Sequence, residues 1–470
     1  MRRLSGAIVL ALAAAGCTVG PNYRIPPGAT ANTPETNDAF VNGGDAAFAQ
    51  VPLPDHWWRL YDDARLDAYV HEAFEANTNL RAADANLRRA TSAIREAQAA
   101  QTVSTNISGS VVYTRQGGID TLSFPGGSYS LGGGVSYPLD LAGGIRRAVE
   151  AARADAEAVQ ATRDELRVTV SAAVARNYVA VCSANRSRAA AEHVVRIQRE
   201  TLDEVQQLFR GGRNTAFDVT RARTPVEQSA AAIPPIIVQR QAALYALTAL
   251  MGRPVARYPR ELQDCPVSPA LRRPLPIGDG TALIRRRGDV RAAERSLAAA
   301  TAAIGIETAQ LYPQVSIGGA LGFAAPFSMM GSVSSFGGNI GPLVSWTFPN
   351  LSAAHARIAE AGAATEAAAA QFDGAVLTAL QQTETSLDAY VLEIGHNREL
   401  RQTRDSAAKA TSQATTLFRF GRTGILDVLN AEASLATAET AVAASDEALA
   451  DDQVNVFLAL GGGWEPENDW

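Results

Sequence analysis

The sequence predicts a mainly α-helical chain that carries a small membrane β-barrel, built from a duplicated helix–strand–strand–long helix–helix unit. Three observations predict it. Residues 208–222, LFRGGRNTAFDVTRA, return 209 positions later as LFRFGRTGILDVLNA at 417–431. Two long stretches, 144–210 and 353–420, are rich in Ala, Glu, Arg and Gln with almost no Gly or Pro. Four further stretches alternate apolar with small or polar residues at the period of a strand.

The chain opens on a removable leader. Arg2 and Arg3 precede a short apolar run, Leu4 to Leu12, and small residues follow up to Gly16-Cys17. Residues 1–16 therefore read as a lipoprotein signal peptide cut before Cys17, the lipidation site, although Ala14 stands where such signals usually carry Leu. Thr18 behind the lipidated cysteine fits sorting to the outer membrane. Removing the leader takes two arginines and no acid with it, so the formal charge moves from −6 to −8. That balance argues against a nucleic-acid partner. Cys182 and Cys265 remain beside Cys17; they make no disulfide framework, and their spacing does not decide whether they pair. No later run is apolar for 18 residues, so any membrane crossing is made by strands.

Residues 17–78 are expected as a lipidated, extended N-terminal segment. The first repeat follows at 79–252, with strands at about 104–115 and 128–139 and a helical hairpin tip at 210–218. A linker at 253–288 leads to the second repeat at 289–462, with strands at about 314–324 and 338–348 and a tip at 419–427. Residues 463–470 form a tail. The duplication extends beyond the corners: NLRAA at 79–83 lies on DVRAA at 289–293, RAVEAA at 147–152 on RIAEAG at 357–362, and ALMG at 249–252 on ALGG at 459–462.

Each long stretch, wound as one helix, is a rod of about 100 Å, which implies coiled-coil-like packing. Behind the second corner, Val428, Leu435, Val442, Leu449 and Val456 recur every seven residues, with Ala431, Ala438 and Ser445 three behind the first three. An apolar position followed by a small one describes a close helical seam. The first copy keeps it at Val219, Val226, Ile233 and Leu247, with Arg240 as the exception. It also carries Pro225, Pro234 and Pro235, which should kink the helix or interrupt its hydrogen bonds. Four strands leave two open edges, which lipid does not tolerate, and they are too few to close a barrel alone. A dimer would supply eight strands and a cyclic trimer twelve. An ordinary half-buried soluble sheet shows the same alternation.

CTVGPNY at 17–23, Trp57-Trp58, Leu66-Asp67, LGGGW at 460–464 and the duplicated corners resemble the outer membrane factors, TolC-like exit ducts, in their lipoprotein NodT-like branch. The resemblance runs from Cys17 to Trp464. It implies a homotrimer with a twelve-stranded barrel in the outer membrane, four strands per chain, and a periplasmic α-helical tunnel. It also implies partners: a periplasmic adaptor (membrane fusion protein) and an inner-membrane resistance-nodulation-division transporter. Each corner then becomes a periplasmic tip, with Arg210, Gly212, Arg213, Arg419, Gly421 and Arg422 as adaptor-docking residues. Asp218 and Asp427 open the return helices as caps, and as a threefold set they would ring the tunnel mouth with negative charge. Family members often carry another Asp three positions after Asp427; here Asn430 stands there, with Arg221 at the equivalent place in the first copy.

No His-Glu-x-x-His, Gly-x-Ser-x-Gly, P-loop or metal-spaced Cys pair occurs, and the five histidines are scattered. Ser406-Ala-Ala-Lys409 has nucleophile spacing without its companion motifs. The expectation is a passive channel with no catalytic residues, no cofactor and no metal, serving efflux of drugs or other small toxic solutes. A type I secretion outlet and a non-channel periplasmic coiled-coil lipoprotein are the rival readings.

Overall fold

The computed structural model describes residues 18–114, 126–265, 271, 274–348 and 351–462. The leader, Cys17 and the tail at 463–470 lie outside the described residues. The chain clusters into two compact units that cut across the repeat, each taking parts of both copies.

The unit made of residues 1–29, 85–160 and 292–373 holds the membrane sheet. Its strands are β1 (Ser104–Thr114), β2 (Gly126–Leu139), β3 (Gln314–Pro326) and β4 (Phe336–Ser345). They pair antiparallel in the order β1-β2-β3-β4. The register gathers the large side chains onto one face. Ile107 lies beside Gly133, Gly109 beside Leu131 and Val111 beside Tyr129. Leu131 in turn meets Phe323, and Tyr137 meets Ile317; Gly319 meets Ile340 and Val315 meets Val344. Glycine opposite a branched side chain leaves room for it in the pleat. The other face carries Ser108, Gly132, Ser130, Ser316, Gly322 and Asn339. On the apolar face Ile107 is 87% and Ile340 86% exposed, so none of the described residues covers it. Aromatic residues stand at both ends of the band: Tyr113, Tyr129 and Phe336 at one, Tyr137, Trp346 and Phe348 at the other. That is the dyad pattern and double girdle of a membrane barrel. Among the described residues β1 and β4 each have one unpaired edge.

The chain behind Cys17 is pinned in this unit. The Val19 amide donates to the Ala142 carbonyl at 3.0 Å. The guanidinium of Arg147, 2% exposed, donates to the carbonyls of Val19 and Gly20 and to Asn22 Oδ1.

The unit made of residues 30–84, 161–291 and 374–470 is helical. Its helices and the shared ones are α1 (Ala64–Ala76), α2 (Thr78–Ala99), α3 (Gly144–Arg210), α4 (Ala216–Ala231), α5 (Ile233–Leu250), α6 (Gly280–Arg286), α7 (Gly288–Ala309), α8 (Ser352–Arg419) and α9 (Ile425–Ala459). The stretch at 17–78 is not extended throughout. Asp63 caps α1 by accepting the amides of Arg65 and Leu66. Leu66, Tyr69, Val70 and Ala73 then bury one helical face. The linker likewise contains α6, capped by Asp279, and Leu275–Pro276 pairs in parallel with Phe48–Ala49. These pieces enclose an aromatic core in which Trp57, fully buried, stacks on Phe457 with ring centroids 4.5 Å apart. Trp58 Nε1 and Arg59 both donate to Asp67, whose carboxyl the Arg59 bond holds below its ordinary range. Cys182 and Cys265 form a disulfide with Cα atoms 5.0 Å apart, as suits an oxidising compartment.

The prolines act unequally. Pro225 sits inside α4 without ending it. The break falls at Ala232, whose amide turns back to Ser229, and Pro234 lies in the first turn of α5, where a missing N–H costs least. The second copy runs unbroken as α9.

Candidate functional site

The two corners are built alike. α3 ends at Arg210, and the amides of Gly212 and Arg213 turn back to the carbonyls of Phe209 and Leu208. α8 ends at Arg419, and the amides of Gly421 and Arg422 turn back to Phe418 and Leu417 in the same pattern. This closure puts the glycine in the left-handed region, with φ +71° at Gly212 and +66° at Gly421. An added Cβ at either glycine would meet no atom within 4 Å, so the backbone there is open to approach.

The return helices are capped differently. Thr215 and Asp218 form a reciprocal capping box: Thr215 Oγ1 accepts the Asp218 amide, and Asp218 Oδ2 accepts the Thr215 amide at 2.9 Å and its hydroxyl at 2.7 Å. Those bonds hold the Asp218 carboxyl below its ordinary range. In the second corner Gly424 is the cap, and Asp427 accepts instead from the Thr423 hydroxyl. Thr215-x-x-Asp218 is legible in the sequence as a capping box, whereas Thr423 has no such pattern to mark it.

The arginines divide into engaged and unengaged. Arg419 pairs with Glu204 of α3 at 3.2 Å, joining one hairpin to the other. Arg210 Nε donates to the Gln206 carbonyl of its own helix at 3.4 Å. Arg213 and Arg422 are exposed and have no side-chain hydrogen bond or ion pair among the described residues. Arg221 covers the Phe217 ring at 5.3 Å, and Asn430 is exposed. Around these cations Phe217 is 67% and Phe420 76% exposed, with Phe209, Leu417 and Leu426 also solvent-facing. The hairpins meet just behind, where Val205, Ala222 and Leu429 form a buried cluster flanked by Leu202, Val219, Phe418 and Ile425. The site is thus a basic, apolar, glycine-opened surface. Among the described residues no group of three or more His, Cys, Asp or Glu is placed to hold a metal, and no helix is long and apolar enough to cross a membrane.

A strand-borne apolar face with long helices and paired basic corners defines an outer membrane channel. The outer membrane efflux protein model matches residues 69–253 and 281–462, most of the chain, and the chain belongs to that family. The chain is 31% identical to the outer-membrane channel OprN, with a TM-score of 0.87, covering 96% of this chain and all of that one. It is 26% identical over 462 residues to Nodulation protein T of Rhizobium leguminosarum bv. trifolii, covering 96% of this chain and 95% of the relative. With outer membrane protein OprJ of Pseudomonas aeruginosa it shares 27% over 469 residues, covering 98% and 95%. The two matched stretches lie on the two copies of the internal repeat. The protein resides in the outer membrane and serves efflux.

Proposed function

We propose that three copies of this chain form a passive exit duct that docks a periplasmic adaptor and an inner-membrane resistance-nodulation-division transporter, and through which drugs or other small toxic solutes leave the cell. The observation that carries it is the sheet: one uncovered apolar face, two unpaired edges and an aromatic girdle at each end of the band. Unpaired edges in lipid demand closure by further copies. Acyl chains on Cys17 add a second hold on the membrane.

The adaptor docks at Arg210, Gly212, Arg213, Arg419, Gly421 and Arg422. The unengaged guanidiniums of Arg213 and Arg422 supply planar donors to partner carbonyls, and the two glycines admit a partner backbone. Asp218, Asp427 and Asn430 line the tunnel mouth. Asp218 is held in the Thr215 capping box and Asp427 by the Thr423 hydroxyl, so local bonds set their geometry and any ring of charge is secondary. Planar-bilayer recording of the purified protein tests the duct. Discrete conductance steps are expected; a sealed bilayer at all voltages contradicts a channel.

A further inference from the structure

The seam between the hairpins holds a carboxylate that no role above uses. One turn beyond the Val205–Ala222–Leu429 cluster, Glu432 of α9 is 2% exposed. Its Oε1 accepts from Thr201 Oγ1 of α3 at 2.5 Å, and its Oε2 has no partner among the described residues. Gln198, a turn further on the same face of α3, is equally buried, and its Oε1 also lacks a donor. Two orphan acceptors in adjoining layers are costly, and one added proton relieves the first by making it a donor. The equivalent residue of the first copy is Arg223, which is exposed, so the buried acid belongs to α9 alone.

We propose that Glu432 is a proton-operated latch between the two hairpins: neutral, it lets the seam pack shut, and ionised, it loosens the contact of α9 with α3. Burial raises its carboxyl to about 7, against a smaller downward pull from the Thr201 bond. The charged groups on the surrounding elements stand elsewhere. Arg199, Glu200 and Asp203 of α3, Arg221, Arg223 and Glu227 of α4, and Asp405 and Lys409 of α8 are exposed, while Glu204 is taken by Arg419. On α9 itself Asp427 bonds Thr423, and Glu439 lies 3.7 Å from His193 of α3, a second titratable pair in the same seam. None of them adds to or offsets burial at Glu432. A raised acid favours the packed form at low pH. That preference is lost between the ordinary carboxylate value and about 7, a swing of roughly 300-fold in the packed-to-loosened ratio. The latch stands on the helical seam and does not depend on the exit-duct reading.

The test is pulsed electron spin resonance on the full-length protein in detergent, with labels at Gln207→Cys and Ser434→Cys, from pH 5 to 9. A distance distribution that lengthens or broadens with a midpoint near pH 7 is expected. Glu432→Gln should hold the packed distribution at every pH. Thr201→Val should move the midpoint upward, because the lost hydroxyl favoured the carboxylate. A wild-type distribution that ignores pH overturns the latch. So does a transition that survives in Glu432→Gln. Isotope-edited infrared titration of wild-type protein reads the carboxyl without relying on that variant: a protonated band at Glu432 persisting to about pH 7 supports the latch, and its loss by pH 5 overturns it.

Discussion

The two tip glycines, with positive φ and open space around them, separate backbone strain from docking. Gly212→Val and Gly421→Val place a β-branched residue where only glycine sits without strain, distorting each corner while leaving the seam behind it intact. We expect adaptor capture in pull-down to fall at least tenfold for the double variant, with particle mass unchanged. Arg419→Ala separates two roles of the arginine. An exposed pair such as Arg419–Glu204 contributes about 0–1 kcal/mol, so a large loss of adaptor capture without a shift in melting would mark Arg419 as a contact residue. Asp218 gives a pH signature. Its depressed carboxyl stabilises the first corner above the ordinary Asp value, and that support is lost as pH falls through the lowered one. Protection factors at 215–219, corrected for the intrinsic exchange rate, should therefore hold at the ordinary Asp value and fall only as pH drops below it; Asp218→Asn should show reduced protection throughout. The glycines and arginines were legible because the corner is printed twice. Thr423, Glu204 and Glu432 were not, because a cap partner, an interhelical ion pair and a buried acid leave no periodic mark.

Elements with strong periods were the readable ones. The strands show period two, and α9 shows sevens that end buried at Val428, Leu435, Val442 and Val456. The heptad spacing nonetheless places small Ala431 in the seam, whereas Glu432 beside it is the buried residue and Ala431 is only half-buried. Apolar spacing does not report which neighbour a polar side chain turns toward. The helix α1 was missed because thirteen residues in an aromatic-rich segment carry too few turns to stand out. Its packing matters: Phe457→Ala removes the ring under Trp57 and should destabilise the helical unit by about 3–5 kcal/mol in denaturant melts. The disulfide, spacing 83 residues apart, should contribute about 2–4 kcal/mol to the same unit, read as a lowered midpoint on reduction.

For the whole molecule, sequence reached the fold class through duplication and arithmetic: two repeats, four strands, two edges. It did not reach the way the compact units cut across the repeats, since each long helix serves both and helix periodicity carries no unit boundary. Closure of the sheet by other copies is the proposal on which the duct rests. Light scattering with the detergent contribution removed, on particles extracted from outer membranes in mild detergent, gives the number of chains that close it. Three chains per particle are expected, giving twelve strands with no free edge. A folded, stable monomer, with β1 and β4 still unpaired, would contradict it.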